Sequence, residues 1–214
     1  MLTLYSYFRS SAAYRVRIAL HLKGLAFDTI PVHLLEGGGM QHTPAYTALN
    51  PSQLVPTLAD DGLHLGQSLA IIEYLEACHP TPALLPADAA GRARVRALAQ
   101  TIACDIHPLN NLRVLQYLEQ VLQVDAAARQ AWYQHWVATG FEALERMLAA
   151  GAGGDFCHGS TPGLADCCLV PQMANARRFQ VPLDAYPRLC RIEAACLQLE
   201  AFARAAPERQ PDFR

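Results

Sequence analysis

The sequence has no surplus of charge of either sign. Its 17 basic and 19 acidic side chains leave a formal net charge of −2, and charged residues make up only 17% of the chain. Nucleic acids and anionic membrane surfaces attract proteins through a long-range positive field, which a chain of this balance does not produce. We therefore expect neither nucleic acid nor a membrane as a partner.

Long apolar runs are missing as well. No stretch of about 18 apolar residues occurs, so the sequence predicts no membrane span. The first residues have no basic start, and Arg9 interrupts their apolar stretch, which argues against a signal peptide. Even so, a chain of 214 residues that is 52% hydrophobic can bury a large core. These features predict a globular protein of the cytoplasm.

Cysteine pairs at metal-ligand spacing are also absent. The seven cysteines form no CxxC motif and no HExxH motif occurs, so we expect no metal site, even at Cys157-His158 or Cys167-Cys168. Most of these cysteines lie in apolar, helix-like surroundings. We interpret them as buried free thiols in a reducing compartment, which agrees with a cytoplasmic location.

The first third of the chain alternates between strand and helix patterns. Residues 2–7 predict a strand, and residues 12–23 predict a helix that begins after Ser10 or Ser11 and ends at Gly24. A second strand is predicted within 25–34. The order is strand, helix, strand.

A hairpin and a third helical pattern follow. Pro56 lies in a strand-like run and should mark an edge or the start of a strand, because its ring removes a hydrogen-bond donor. Asp61-Gly62 is typical of a two-residue hairpin turn, and Ser68 can cap the next helix. The region therefore adds a strand, a strand and a helix.

Proline and alanine dominate residues 79–90, which we interpret as a linker. Beyond it the patterns are helical and no strand is predicted. We expect two domains, an α/β domain over 1–82 and an all-helical domain over 88–214.

Six ordered segments of the chain carry a family pattern: 5–11, 53–58, 67–76, 105–111, 165–172 and 177–179. Together they resemble the zeta class of glutathione transferases, and the resemblance runs essentially from end to end. It implies the glutathione-transferase fold, in which a thioredoxin-like α/β N-terminal domain precedes an all-α C-terminal domain. It also implies a homodimer and glutathione as cofactor. The implied reaction is the cis–trans isomerisation of a small dicarboxylic acid, maleylacetoacetate or maleylpyruvate.

The resemblance implies that Ser11 stabilises the glutathione thiolate, with Ser10 beside it and the backbone N–H groups of Ala12 and Ala13 closing an anion pocket. Such a thiolate could add to the double bond of the acid, allow rotation and then leave. A hydroxyl donor and a helix N-terminus both favour a thiolate. Taken alone, Ser10-Ser11 before an apolar helix is more often a simple helix cap.

Ala12 departs from the animal zeta pattern, where many members carry cysteine. A reductive dehalogenase that must resolve a mixed disulfide is therefore less favoured, because alanine cannot attack sulfur. A general transferase acting on small electrophilic acids stays an alternative to the isomerase. A catalytically silent binding protein of the same fold is a third hypothesis, which the intact motifs disfavour.

The resemblance also implies the groups that bind the tripeptide. The Val55 backbone next to a cis Pro56 would bind the cysteinyl part, and Ser68 with Gln67 would bind the γ-glutamyl carboxylate. By itself, Ser68 is more simply explained as an ordinary N-cap. Two further contacts are predicted, Gln41 from the family pattern and Gln53 from its proximity to Val55.

Polar residues of the helical domain complete the predicted site. His107 and Asn111, four residues apart, are expected on one helix face, with Arg113 pointing elsewhere, and the resemblance directs this stretch toward glutathione. For the dicarboxylate, Arg9 and Arg178 are the predicted cations. Arg177 is either an alternative partner for the acid or a solvated neighbour. Asp166 is expected to cap a helix after Gly163 and to be structural.

Overall fold

The computed structural model describes residues 1–151 and 153–213. Its backbone divides into two compact units. The first unit joins Met1–Leu84 with Leu197–Arg214, and the second contains Leu85–Cys196. The predicted domains, 1–82 and 88–214, differ from these units mainly in the assignment of the C-terminal segment.

The first unit is built on a four-stranded sheet with the strand order β2-β1-β3-β4. β1 runs parallel to β2 and antiparallel to β3, as in the predicted thioredoxin-like arrangement. Asp61 and Gly62 both have positive φ, 44° and 85°, so the predicted two-residue hairpin turn is confirmed. The strands are β1 (Leu2–Ser6), β2 (Phe27–Pro31), β3 (Thr57–Asp60) and β4 (Leu63–Leu65).

The first unit also contains helices, of which α1 contacts two others. Gly24, with φ 64°, ends the first helix where the sequence predicts. The sequence did not predict the short second helix, which Thr43 caps through its side chain and Pro44 begins. The helices are α1 (Ser11–Leu22), α2 (Pro44–Leu49), α3 (Ser68–Cys78) and, near the C-terminus, α9 (Glu200–Ala205).

Carbonyl groups of the C-terminal segment hydrogen-bond to α1. Tyr14 Oη donates to Phe202 O across 3.5 Å, and Arg17 Nε donates to Ala205 O across 2.9 Å. Arg17 is fully buried, and this burial lowers its pKa to about 10. Because these bonds span nearly 190 residues of sequence, local patterns could not reveal them, and the prediction placed 197–214 with the helical domain.

Among the described residues of the second unit, the regular elements are all helices, which agrees with the predicted all-α domain. Its core contains Ile102, Val137, Phe141 and Leu169, each at most 1% exposed. The elements are α4 (Ala89–Gln100), a π-helix (Thr101–Ile106), a 3₁₀ turn (Pro108–Asn110), α5 (Leu112–Gln120), α6 (Ala126–Ala149), α7 (Leu164–Arg178) and α8 (Pro187–Leu197).

Asp166 has the structural role that the sequence predicts. Its carboxylate accepts the N–H of Gly163 and the N–H of Cys157, each at 2.9 Å. Burial raises the pKa of this carboxyl group. Asp166 thus joins the start of α7 to the preceding loop.

The cysteines are free, as predicted, but not all of them are buried. Cys157, Cys167, Cys168 and Cys196 are buried, whereas Cys78 and Cys104 are exposed, contrary to the prediction. Among the described residues, no group of three or more His, Cys, Asp or Glu side chains could hold a metal ion. None of the helices in the described ranges is long and apolar enough to cross a bilayer.

Candidate active site

The serine loop, residues 7–11, connects β1 to α1. Ser10 N–H donates to Tyr7 O across 2.9 Å and closes a tight turn. Ser10 is the N-cap, as predicted, and its Oγ accepts the Ala13 N–H at 3.2 Å. That bond occupies the Ala13 N–H, one of the two donors expected in the anion pocket. Ser11 and Ala12 lie in the first turn of α1, where backbone N–H groups point out of the helix N-terminus.

The Val55-Pro56 peptide bond is cis and directly precedes β3. Thr57, the first residue of β3, pairs with Tyr5 near the end of β1. Val55 therefore lies at the end of the sheet where the serine loop begins. Within the described parts of the chain, the Val55 backbone makes no hydrogen bond.

Two residues that the sequence did not single out hold this loop. Tyr46 Oη donates to Leu54 O across 2.6 Å, and Asn50 Nδ2 donates to the same carbonyl across 2.9 Å. Asn50 Nδ2 also donates to Thr57 Oγ1 across 2.9 Å. Because the residues on both sides of Val55 are fixed in this way, its open backbone is held in place for an incoming peptide.

The start of α3 differs from the prediction. Gln67 occupies the cap position with φ 66° and makes no side-chain cap bond, and Ser68 is the first helical residue. Arg15 Nη1 donates to Ser68 Oγ across 3.2 Å, and both side chains are buried. Since Ser68 Oγ accepts this bond, its own proton can be donated to an anion at the helix N-terminus. Arg15 was missed, although an arginine in the apolar run Tyr14–Ile18 signals a specific buried partner.

Gln41 and Gln53 are linked through a histidine that the sequence analysis overlooked. Gln41 Nε2 donates to Leu34 O across 3.3 Å and lies 3.0 Å from His42 Nε2, while His42 Nδ1 lies 2.6 Å from Gln53 Oε1. Gln41 is only 7% exposed, and its Oε1 has no hydrogen-bond partner among the described residues. An orphaned buried acceptor is expected where a ligand donor belongs.

These groups of the first unit fit a short peptide that carries a carboxylate. Val55 offers a free backbone edge, Ser68 a donor at a helix N-terminus, and Gln41 an unsatisfied acceptor. Glutathione has amides, an amine and carboxylates that match such a set. The donor set is thus compatible with the predicted cofactor.

The stretch around His107 is not one continuous helix. His107 ends the π-helix, and Asn111 has the extended backbone of an N-cap, φ −65° and ψ 148°. Pro108 separates them, so the expected common helix face is wrong. Asn111 Oδ1 accepts the Arg113 N–H at 3.2 Å, and the Arg113 side chain is exposed.

The two arginines at the end of α7 have different surroundings. Arg177 forms a salt bridge with buried Glu193, and this hydrogen-bonded partner raises the pKa of Arg177. Arg178 lies over the ring of Phe179, with its Cζ 5.2 Å from the ring centroid. Phe179 in turn stacks on Tyr133 at 3.6 Å. Among the described residues Arg178 has no carboxylate partner, so it can bind an external one.

Arg9 is arranged in a similar way in the first unit. Its side chain is exposed, and its Cζ lies 4.9 Å from the ring centroid of Phe8. No acidic side chain of residues 1–151 and 153–213 forms an ion pair with it. Arg9 is therefore a cation next to the serine loop that can receive an anionic ligand.

Models of known protein families match two segments of the chain. Residues 9–78 match the glutathione S-transferase N-terminal domain, and residues 130–190 match the glutathione S-transferase C-terminal domain. Together with the relatives below, these matches show that the chain belongs to the glutathione S-transferase family.

Individual proteins in this family are similar to the chain over almost its whole length. The chain is 52% identical to a probable maleylacetoacetate isomerase of Vibrio cholerae, over 99% of this chain and 98% of that protein. It is 53% identical to a maleylpyruvate isomerase of a Ralstonia species, with 98% of each chain covered.

Solved structures of proteins with the same names are similar to this chain in fold. A holo structure of maleylpyruvate isomerase, described as a bacterial zeta-class glutathione S-transferase, has a TM-score of 0.96 and 52% identity and covers 99% of this chain and 100% of its own. The maleylacetoacetate isomerase of Methylobacterium extorquens AM1, with bound malonate and glutathione, has a TM-score of 0.94 and 41% identity and covers 99% of each chain. The predicted resemblance to the zeta class is thereby confirmed.

Proposed function

We propose that this protein is a glutathione-dependent cis–trans isomerase that acts on a maleyl dicarboxylic acid, maleylacetoacetate or maleylpyruvate. The observation that carries this proposal is the identity of 52% and 53%, over nearly the whole chain, to relatives named for these two reactions. The groups of the first unit that fit glutathione support it independently.

When bound, glutathione supplies the thiolate that adds to the double bond of the acid, permits rotation and leaves again. The Ser11 hydroxyl donates a hydrogen bond to that sulfur, and the N–H groups at the start of α1 add a positive field. Ser10 contributes by capping the helix, which keeps Ser11 and Ala12 in the first turn. These groups favour the anionic form of a thiol whose free pKa is about 8.5.

Most of the residues proposed to bind the tripeptide lie in the first unit. The Val55 backbone beside Pro56 takes the cysteinyl part, and Ser68 with Gln67 takes the γ-glutamyl carboxylate. Gln41 and Gln53 make further polar contacts. His107, Asn111 and Arg113 are proposed as additional polar contacts to the tripeptide.

Two guanidinium groups hold the dicarboxylate. Arg9, next to the serine loop, binds one carboxylate and Arg178 binds the other. The relative that binds malonate together with glutathione supports a dicarboxylate as the ligand class. Arg177 is engaged with Glu193 and does not take part.

We also propose that the protein is a homodimer of the cytoplasm. Both proposals follow from the family resemblance, and the free cysteines agree with a reducing compartment. The oligomeric state can be measured by sedimentation velocity, in which a single species of the monomer mass would contradict the dimer.

A spectrophotometric isomerisation assay tests the function. Purified protein is mixed with maleylacetoacetate or maleylpyruvate, with and without glutathione, and with S-methylglutathione as a matched control that lacks a free thiol. We expect turnover of at least one acid with glutathione alone. Equal turnover without glutathione, or with the S-methyl compound, would contradict the cofactor role.

A further inference from the structure

The C-terminal tail, residues 210–213, contacts the serine loop directly. Asp212 Oδ2 accepts the backbone N–H of Phe8 at 3.0 Å. The ring of Phe213 meets the ring of Phe8 edge to face, with centroids 5.6 Å apart and an interplanar angle of 88°. Phe8 is therefore held by the tail through both its backbone and its side chain.

The tail itself has a defined conformation. Gln210 Nε2 donates to Arg204 O across 3.1 Å and to Ala206 O across 2.9 Å. Phe213 N–H donates to Gln210 O across 3.1 Å. These bonds tie Asp212 to the end of α9 through a short turn, so the carboxylate is presented by an anchored segment.

The peptide unit between Tyr7 and Phe8 is fixed at both ends. Its carbonyl accepts the Ser10 N–H at 2.9 Å and Arg17 Nη1 at 3.4 Å, and its N–H is the donor that binds Asp212. The next carbonyl, Phe8 O, accepts Arg17 Nη2 at 3.2 Å. The N–H of the second residue of a tight turn points away from the turn, so only an external acceptor such as Asp212 can satisfy it.

Arg9 depends on this arrangement. Its guanidinium lies over the ring of Phe8, the same ring that Phe213 contacts from the tail. Phe8 is 3% exposed and also packs against Tyr7, with ring centroids 4.8 Å apart. A shift of Phe8 would therefore move Arg9, together with the turn that leads into Ser10 and Ser11.

We propose that Asp212 is a positioning residue of the isomerase: through the Phe8 N–H and with the help of Phe213, it sets the turn that directs Arg9 at the dicarboxylate and Ser11 at the thiol. This inference rests on the proposed function. It adds a residue near the C-terminus, which does not itself contact the acid, to the determinants of acid turnover.

Three variants of the full-length protein test the role. Asp212→Ala removes the acceptor, and Asp212→Asn keeps an acceptor oxygen. Glu208→Gln is the control, because Glu208 is exposed and its charge, like that of Asp212, raises the pKa of Arg17. We expect Asp212→Ala to lower kcat/KM for the acid about tenfold, because small misplacements of binding groups are costly. The KM for glutathione should change by no more than about twofold, since the bonds that hold Ser68 and the Val55 loop come from Arg15, Tyr46 and Asn50.

The conservative variants give the decisive comparison. Asp212→Asn should stay within about threefold of the wild-type kcat/KM for the acid, because its amide oxygen can still accept the Phe8 N–H. Glu208→Gln should match the wild type. All rates are measured well below the lowest melting temperature of the set, so that a loss of stability alone does not change them.

Two results would overturn the inference. One is equal kcat/KM for Asp212→Ala and Glu208→Gln, and the other is a loss in Asp212→Asn as large as in Asp212→Ala. If Asp212→Ala does not fold, Phe213→Ala decides instead: a fall of about threefold in kcat/KM for the acid supports the role, and an unchanged value contradicts it. A wild type that turns over neither acid would contradict the proposed function, a separate result.

Discussion

Arg15 Nη1 donates a hydrogen bond to Ser68 Oγ across 3.2 Å and so joins the second turn of α1 to the first residue of α3. Arg15 is 2% exposed and Ser68 is 6% exposed. The helix that carries the proposed thiolate site and the helix that carries the proposed carboxylate site are therefore connected by one buried bond. A change at one terminus is expected to affect the other.

Replacing Arg15 tests this connection. Arg15→Met should raise the KM for glutathione about tenfold, because a charged donor contributes roughly 1.5–3 kcal/mol to such a bond. Ser68→Ala should have a comparable effect, and the double variant should be little worse than either single variant. If the free-energy changes calculated from the KM values of the two single variants add up to that of the double variant, the two side chains act separately.

Ser10 has a structural contribution that can be separated from its place in the site. Ser10→Ala should lower the free energy of unfolding by about 1 kcal/mol, because the Ala13 N–H loses its cap acceptor. Ser10→Thr should restore most of this loss, since threonine is also an N-cap residue. Urea denaturation of the three proteins checks the prediction, and equal midpoints for alanine and serine would contradict it.

The adjacent arginines at the end of α7 should respond differently to the same substitution. Arg178→Gln should raise the KM for the acid at least tenfold, because it removes a proposed carboxylate partner. Arg177→Gln should leave that KM unchanged but lower stability by about 1 kcal/mol, because Glu193 loses its partner. Steady-state kinetics and thermal melts of both variants distinguish the roles. A KM effect confined to Arg177→Gln would reverse the assignment.

Stability should depend on pH through His21. Burial first, and then the charges of Arg204 and Arg17, lower its pKa to about 4, while Glu200 opposes the shift. The unfolded chain, with a histidine pKa of about 6.5, then binds more protons than the folded chain between the two values. Stability should therefore fall as the pH decreases from about 6.5 to about 4.

A matched pair of variants checks this dependence. His21→Gln should flatten the stability profile in that range, whereas His64→Gln, at an exposed position of β4, should leave its slope unchanged. Urea denaturation across the pH range provides the measurement. The same slope in wild type and His21→Gln would contradict the assignment.

Much of the first unit could be predicted from short patterns. Ser10 caps α1, Gly24 ends it, and Asp61-Gly62 turns the hairpin, because each depends on the local backbone preferences of one or two residues. Motifs likewise directed attention to the serine loop and to Val55-Pro56. In these cases the sequence neighbourhood contains the physical cause.

Other features depend on contacts that no local pattern contains. Ser68 fits a cap position in sequence, but Gln67 adopts a positive φ and Ser68 instead binds Arg15. His42 was missed because its importance comes from the two glutamines it joins, one of them 11 residues away. The Phe8–Asp212 bond spans 204 residues, beyond the range of any periodicity. Pro108, by contrast, was a visible signal against a common helix face for His107 and Asn111.

The central claim is that Ser11 favours the thiolate of bound glutathione, and titrating that thiol by its ultraviolet absorbance tests it most directly. In the wild-type complex the thiol should titrate clearly below its free pKa of about 8.5. In Ser11→Ala the pKa should return toward the free value, and kcat should fall about a hundredfold, the range found for loss of one oxyanion donor. The same thiol pKa in both proteins would contradict the account.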